Sequence, residues 1–182
     1  MTDYFSFFGL PRQLELDRDQ LQRRFYELSR KFHPDRFATS TPAEQQQALE
    51  STSILNDGYR VLREPVSRAE YVLKQNGFDI GEQRSKDVPP ELLEEVFELN
   101  EQLDELRSGD EDAAAPLRES RQHFLSLLEE VDNELSSQFR SHDAASNEES
   151  RLAALSRMRG ILNRRRYIRN LVNEVEKELA AH

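Results

Sequence analysis

Two side chains able to move a proton or ligate a metal, His33 and Asp35, flank Pro34 in the run His33-Pro34-Asp35-Arg36-Phe37. Such a pair suits acid–base catalysis, metal binding, or hydrogen bonding to a partner from a preorganised loop. The first two chemistries need further ligands or a substrate cradle. The four histidines (His33, His123, His142, His182) are scattered without ligand spacing, and no phosphate-binding glycine loop is present. With no cysteine there is no disulfide frame, thiolate chemistry or cysteine-based metal site. A binding module is therefore expected, not an enzyme, and no metal or cofactor. The plainer alternative is that His33 caps a helix C-terminus and Asp35 opens a turn.

The elements that must position this loop are two helices. Upstream, Leu21, Phe25, Leu28 and Phe32 recur at i, i+4, i+7 and i+11, one face of a helix over 18–32. Its other face carries Arg23, Arg24, Arg30 and Lys31, with Glu27 among them. Asp17 and Gln20 read as its N-cap and reciprocal partner. Pro34 stops it, because the residue before a proline is pushed out of the α region. Downstream, Thr41-Pro42-Ala43-Glu44 restarts a helix with a capping box and a proline at its first position. That helix runs to Arg63 with Ala48, Thr52, Leu55, Tyr59 and Leu62 in a stripe, so the two predict an antiparallel pair. A short aromatic element over 3–10 packs beneath them, and Val66–Gln75 forms a further short helix.

The stretch from Gly77 to Pro90, with two glycines and paired prolines, reads as a linker. Three longer helical patterns follow, over about 91–107, 116–140 and 148–180. Leu92, Val96, Leu99 and Leu103 mark the first; Phe124, Leu128, Val131 and Leu135 the second; Met158, Ile161, Ile168 and Val172 the third. Amphipathic helices with short connections make an antiparallel three-helix bundle. The fold class is all-α, divided as 1–77, a linker over 78–90, and the bundle over 91–182. Residues 1–80 carry 11 basic and 12 acidic side chains, the remainder 14 and 23, for a net charge of −10. Such an acidic chain argues against nucleic acid as the main partner. No apolar run approaches membrane-spanning length and the N-terminus lacks a secretory pattern, so a cytoplasmic protein is expected.

A His-Pro-Asp loop between a basic helix and a second helix ending in Asn56-Asp57-Gly58-Tyr59-Arg60-Val61-Leu62 resembles a J domain. Tyr4-Phe5, Phe8-Gly9-Leu10, Arg68-Ala69-Glu70-Tyr71-Val72-Leu73 and Gly77-Phe78 narrow the resemblance to the iron–sulfur co-chaperone family HscB. The acidic segment Leu93-Glu94-Glu95-Val96-Phe97-Glu98-Leu99-Asn100-Glu101 is similar to that family's scaffold-binding helix. The resemblance covers essentially the whole chain. It implies a J domain that stimulates a dedicated heat-shock-protein-70-class ATPase, and a helical domain that delivers the iron–sulfur scaffold protein to it. His33, Pro34, Asp35 and Arg36, with Arg23, Arg24, Arg30 and Lys31, are then the expected chaperone-binding residues. Leu93, Phe97, Glu98, Asn100, Glu101, Asp104 and Tyr167 are the expected scaffold-binding residues. Some family members carry a cysteine-rich zinc-binding N-terminus; nothing here carries that metal over.

Residue patterning alone is less specific. Leu93, Phe97, Asn100 and Asp104 trace a line about 100° around the helix from the core stripe. Leu93 and Phe97 either widen the core or present an apolar partner face. Tyr167, one position off the line through Ile168 and Val172, poses the same choice. The cluster Arg164, Arg165, Arg166 and Arg169 is expected to pair with Glu94, Glu98 or Glu129 and Glu130.

Overall fold

The computed structural model describes residues 3–80 and 89–181. Among the described residues seven α-helices follow one another: α1 (Tyr4–Phe8), α2 (Arg18–Phe32), α3 (Pro42–Arg63), α4 (Pro65–Gln75), α5 (Leu93–Arg107), α6 (Ala114–Asp143) and α7 (Glu148–Ala181). Short 3₁₀ turns occupy Pro34–Phe37, Pro90–Leu92 and Glu111–Ala113, and no strand occurs among the described residues. The chain is all-α, as its periodicity predicted. Most of the expected linker, residues 81–88, lies outside the described residues. Two compact units form: Met1–Phe78 with Phe139–Arg151, and Asp79–Gln138 with Leu152–His182.

In the first unit, local chemistry sets the helix ends. The Asp17 carboxylate accepts from the amides of Asp19 (2.9 Å) and Gln20 (3.1 Å) and so starts α2. Among the described residues, the expected return bond from the Gln20 side chain to the Asp17 amide is not formed. At α3 the capping box is complete: Thr41 Oγ1 accepts from the Glu44 amide, and the Glu44 carboxylate accepts from the Thr41 amide at 2.9 Å. Pro65 occupies the first position of α4, one residue ahead of the predicted start, where a proline lacks nothing the helix needs.

Leu21 and Leu28 of α2 are buried with Ala48, Leu55 and Leu62 of α3. Phe25 and Phe32 are only half-buried; Phe25 stacks on Tyr59 at 4.3 Å and Phe32 on Phe7 at 5.8 Å. Gly58 lets α1 close onto α3, since a Cβ there would stand 2.9 Å from the Phe8 ring. Tyr71 of α4 holds the start of α1: its hydroxyl accepts from the Tyr4 amide (3.0 Å) and donates to Asp3 (3.2 Å).

Residues 139–151 complete this unit. The buried Arg68 guanidinium donates to the Leu62 carbonyl at 2.5 Å and lies 5.8 Å over the Phe139 ring. Burial, reinforced by the charge of Arg18, pulls Arg68 down to about 10 against the opposing pull of Asp143 and Glu64. Asp143 accepts from two amides in the loop before α2, Leu14 (2.9 Å) and Glu15 (2.8 Å), and from the buried His142 ring (2.8 Å).

The second unit is an up-down-up bundle. Ser120 donates to Gln102 (2.7 Å), and Arg121 and Arg165 of α6 and α7 pair with Glu176 and Asp132 (both 2.5 Å), so α6 runs antiparallel to its neighbours. Arg164 near Glu91 (3.6 Å) and Arg107 on Glu174 and Glu178 (both 2.9 Å) set α5 parallel to α7. Between them Val96, Leu99, Leu103, Leu117, Phe124, Leu128, Met158, Ile168 and Val172 are buried. For two of the four clustered arginines the partners differ from those expected. Arg164 pairs with Glu91 and Glu134, and Arg165 with Asp132, because packing register rather than nearest sequence acidity selects the partner.

Burial raises the Asp143 carboxyl, but the His142 ring and the two amides outweigh it and hold the group below its ordinary range. A depressed carboxyl contributes stability above its unfolded-state pKa and loses it as pH falls through the folded value. Replacing Asp143 by alanine is expected to lower stability in urea titrations by about 1–3 kcal/mol at neutral pH, since two amides lose their acceptor. The gap from the unsubstituted chain should narrow in acid; a gap independent of pH would show that the carboxylate charge contributes nothing.

Candidate functional site

Pro34 holds His33 at φ −57°, ψ 127°, outside the helical region, and α2 ends there. The chain then turns through one 3₁₀ turn whose first donors are taken by His33. Pro34 has none, the Asp35 amide donates to Nδ1 of His33 (3.3 Å), and the Arg36 amide donates to the His33 carbonyl (3.0 Å). The Arg36 guanidinium reaches back to the Arg30 carbonyl at the exposed end of α2 (3.2 Å). From α3, Gln45 donates to the carbonyls of Ala38 (3.3 Å) and Ser40 (3.2 Å) and fixes the exit of the loop. The turn is thus rigid in backbone yet open in side chain: the His33 ring is 58% exposed and the Asp35 carboxylate 89%.

Arg23, Arg30, Lys31 and Arg36 are exposed on the solvent side of α2 and the turn, and Ser29, Arg30, His33 and Arg36 line a shallow concavity. Lys31 also lies 5.3 Å over the Phe32 ring. Arg24 differs from the rest of the basic set. Its guanidinium donates to the Phe8 carbonyl (2.8 Å) at the end of α1 and pairs with Glu27 (2.7 Å), so it holds the unit together. Tyr26, 55% exposed among these cations, went unnoticed in the sequence; its position off the Leu21–Phe32 stripe was the available signal.

On α5 the choice left open by periodicity is decided by burial. Val96 and Leu99 are 4% and 0% exposed, whereas Leu93 and Phe97 are 55% and 64% exposed. Leu93 and Phe97 are one turn apart, so their side chains adjoin outside the core. Glu98, Asn100, Glu101 and Asp104 are exposed around and beyond them, with Asp104 3.6 Å from Arg107. Tyr167 is half-buried on α7, and burial followed by the Glu174 charge raises its hydroxyl above the usual range. Among the described residues no ring contact joins Tyr167 to Phe97.

Among the described residues no three His, Asp or Glu side chains stand together as a metal site, and no helix is long and apolar enough to cross a membrane. His123 faces Glu95 at 4.0 Å and His142 faces Asp143, each a pair rather than a ligand set.

The DnaJ domain family matches residues 3–71, and the family described as HSCB C-terminal oligomerisation domain matches residues 88–176. The chain is 35% identical over 175 residues to a co-chaperone protein HscB homolog of Vibrio vulnificus, covering 96% of this chain and 95% of that protein. It is 33% identical to a homolog of the same name in Vibrio campbellii, with the same coverage. Among solved structures, the human co-chaperone protein HscB superposes with a TM-score of 0.71 at 28% identity, covering 97% of this chain and 82% of that one. Chaperone HscB from Vibrio cholerae gives 0.64 at 28% identity, with 97% and 96% covered. With a J domain, a matching C-terminal domain and this likeness along nearly its whole length, the chain belongs to the HscB co-chaperone family.

Proposed function

We propose that this co-chaperone stimulates ATP hydrolysis by a dedicated heat shock protein 70 family chaperone and brings it an iron–sulfur cluster scaffold protein. Its role is then to assist maturation of iron–sulfur proteins, in the cytoplasm, without an active site, metal or cofactor of its own. The observation that carries the reading is the exposed Asp35 carboxylate on a backbone-fixed turn at the end of a basic helix, in a chain matched over 96% of its length by co-chaperones. A preorganised loop binds without a large ordering cost. Arg23, Arg30 and Lys31 would steer the encounter toward an acidic patch on the chaperone. Arg24 belongs to the proposed set, but its alanine variant would also loosen α1 and cannot test steering by itself.

The scaffold would dock on α5. Leu93 and Phe97 are apolar anchors, and Glu98, Asn100, Glu101 and Asp104 form a polar, acidic surround that favours a basic partner rim. Tyr167 joins this proposal as a half-buried aromatic on the neighbouring helix.

Two measurements test these assignments. Asp35→Asn keeps the side chain's shape but removes its charge, and is expected to abolish stimulation of the partner ATPase while circular dichroism stays unchanged. Full stimulation by this variant would end the role proposed for Asp35 in activating the chaperone. Leu93→Ala, Phe97→Ala and Tyr167→Ala should each weaken scaffold binding by about 1–3 kcal/mol in calorimetric titrations. The exposed pair, Leu93→Ala and Phe97→Ala, should change folding stability by no more than about 0.5 kcal/mol. Leu99→Ala, in the core, should lose about 2–5 kcal/mol. Unaltered scaffold binding by the triple variant would move the partner site elsewhere, and binding of unfolded chains in preference to folded scaffold would favour a general J protein.

A further inference from the structure

The two titratable side chains of the turn do different jobs in this geometry. The Asp35 amide is the one donor at the start of the Pro34–Phe37 turn that no backbone carbonyl accepts, and Nδ1 of His33 takes it at 3.3 Å. An imidazole nitrogen accepts only through its lone pair, so this contact uses Nδ1 as the acceptor. His33 thereby occupies the N-cap position of the turn, a role that serine, threonine, aspartate and asparagine fill at helix starts. The Asp35 carboxylate lies 3.5 Å from the same nitrogen, too far for a hydrogen bond, and is almost fully exposed. The cap therefore orients the backbone of Asp35 and leaves its carboxylate free.

We infer that His33 is a positioning residue, whose Nδ1 caps the turn and aims Asp35, while Asp35 is the group that touches the chaperone. This deepens the proposed function and rests on it. Asparagine places a carbonyl oxygen, Oδ1, two bonds from Cβ, where the histidine Nδ1 stands. It is itself a preferred cap. Glutamine carries its polar atoms one carbon further out, near the Nε2 position, and caps poorly. The side chain that resembles the ring's outer nitrogen should fail, and the one that resembles its inner nitrogen should succeed.

The experiment measures stimulation of a heat shock protein 70 family ATPase that the unsubstituted full chain activates, at one subsaturating concentration. The variants are His33→Asn, His33→Gln, His33→Ala and Asp35→Asn. His33→Asn is expected to retain about half or more of the stimulation, and His33→Gln and His33→Ala to lose about fivefold or more, the worth of a typical N-cap bond. Because the His33 ring is largely exposed, none of these should unfold the chain, and circular dichroism checks this. Rescue by asparagine is the readout that mere bulk at this position would not give. If asparagine fails along with glutamine, if glutamine succeeds where asparagine fails, or if both act normally, the capping role is wrong. The Asp35→Asn arm separates this from the larger question: its full activity would overturn the proposed function of the turn, whereas its loss beside a failed asparagine rescue would overturn only the role given to His33.

Discussion

Helix α2 cannot run through Pro34, and the order at the proposed chaperone site follows from that steric fact. The proline ring expels His33 from the α region and leaves the following turn one backbone donor fewer to satisfy. With Pro34 donating nothing, the next two amides, of Asp35 and Arg36, both go to His33, one to its ring and one to its carbonyl. The Arg36 guanidinium then covers the Arg30 carbonyl, so one acceptor on the upstream side of the break is taken as well. A loop with its backbone groups satisfied internally can show a charged side chain to solvent while its backbone stays fixed.

The basic face illustrates how similar residues on one helix divide between fold and surface. Arg24 sits where α1 ends, and it closes that short helix by taking the Phe8 carbonyl. A substituent on Gly9 would meet its guanidinium at 2.8 Å, so the left-handed glycine and the arginine are fitted to each other. Arg23 and Arg30 face water instead. In the bundle the same division recurs with acids: Glu91 pairs with Arg164, Glu174 and Glu178 hold Arg107, and Glu98 and Glu101 remain on the open side of α5. Exposed ion pairs of this kind contribute little stability each, so the bundle rests on its leucine and phenylalanine core and the acids fix register.

What could be read directly from the chain was whatever local chemistry decides. The ends of α2 and α3 followed from Asp17, Pro34, Thr41 and Pro42, and the buried faces from apolar spacing, because caps and periodicity act within a turn or two. The turn chemistry at His33 was half visible: proximity suggested a hydrogen-bonding loop, but which ring nitrogen takes which amide depends on how the turn folds. Leu93 and Phe97 were ambiguous because a stripe's width depends on how closely neighbouring helices approach. The roles of Arg24 and Arg68, and the partners of Arg164 and Arg165, were illegible for a stronger reason. Each depends on at least one residue 16 to 75 positions away along the chain, and composition carries no trace of such register.

Asp143 is the extreme case of that long reach. The DnaJ family match ends at residue 71, yet the compact unit holding the His-Pro-Asp turn also contains residues 139–151. Those residues supply the acceptor for the Leu14 and Glu15 amides just before α2, and the aromatic ring beneath Arg68. Arg68 is buried with Nε unpaired and its pKa pulled down, a placement that burial penalises and that the Leu62 carbonyl and the Phe139 ring partly offset. Such an arginine is tolerable only while both neighbours stay in place. A fragment ending near residue 78 would expose the Leu14 and Glu15 amides to water and remove the Phe139 ring, loosening the loop from which α2 begins. The sequence boundary of the J domain and the physical boundary of its packing are therefore different things in this chain.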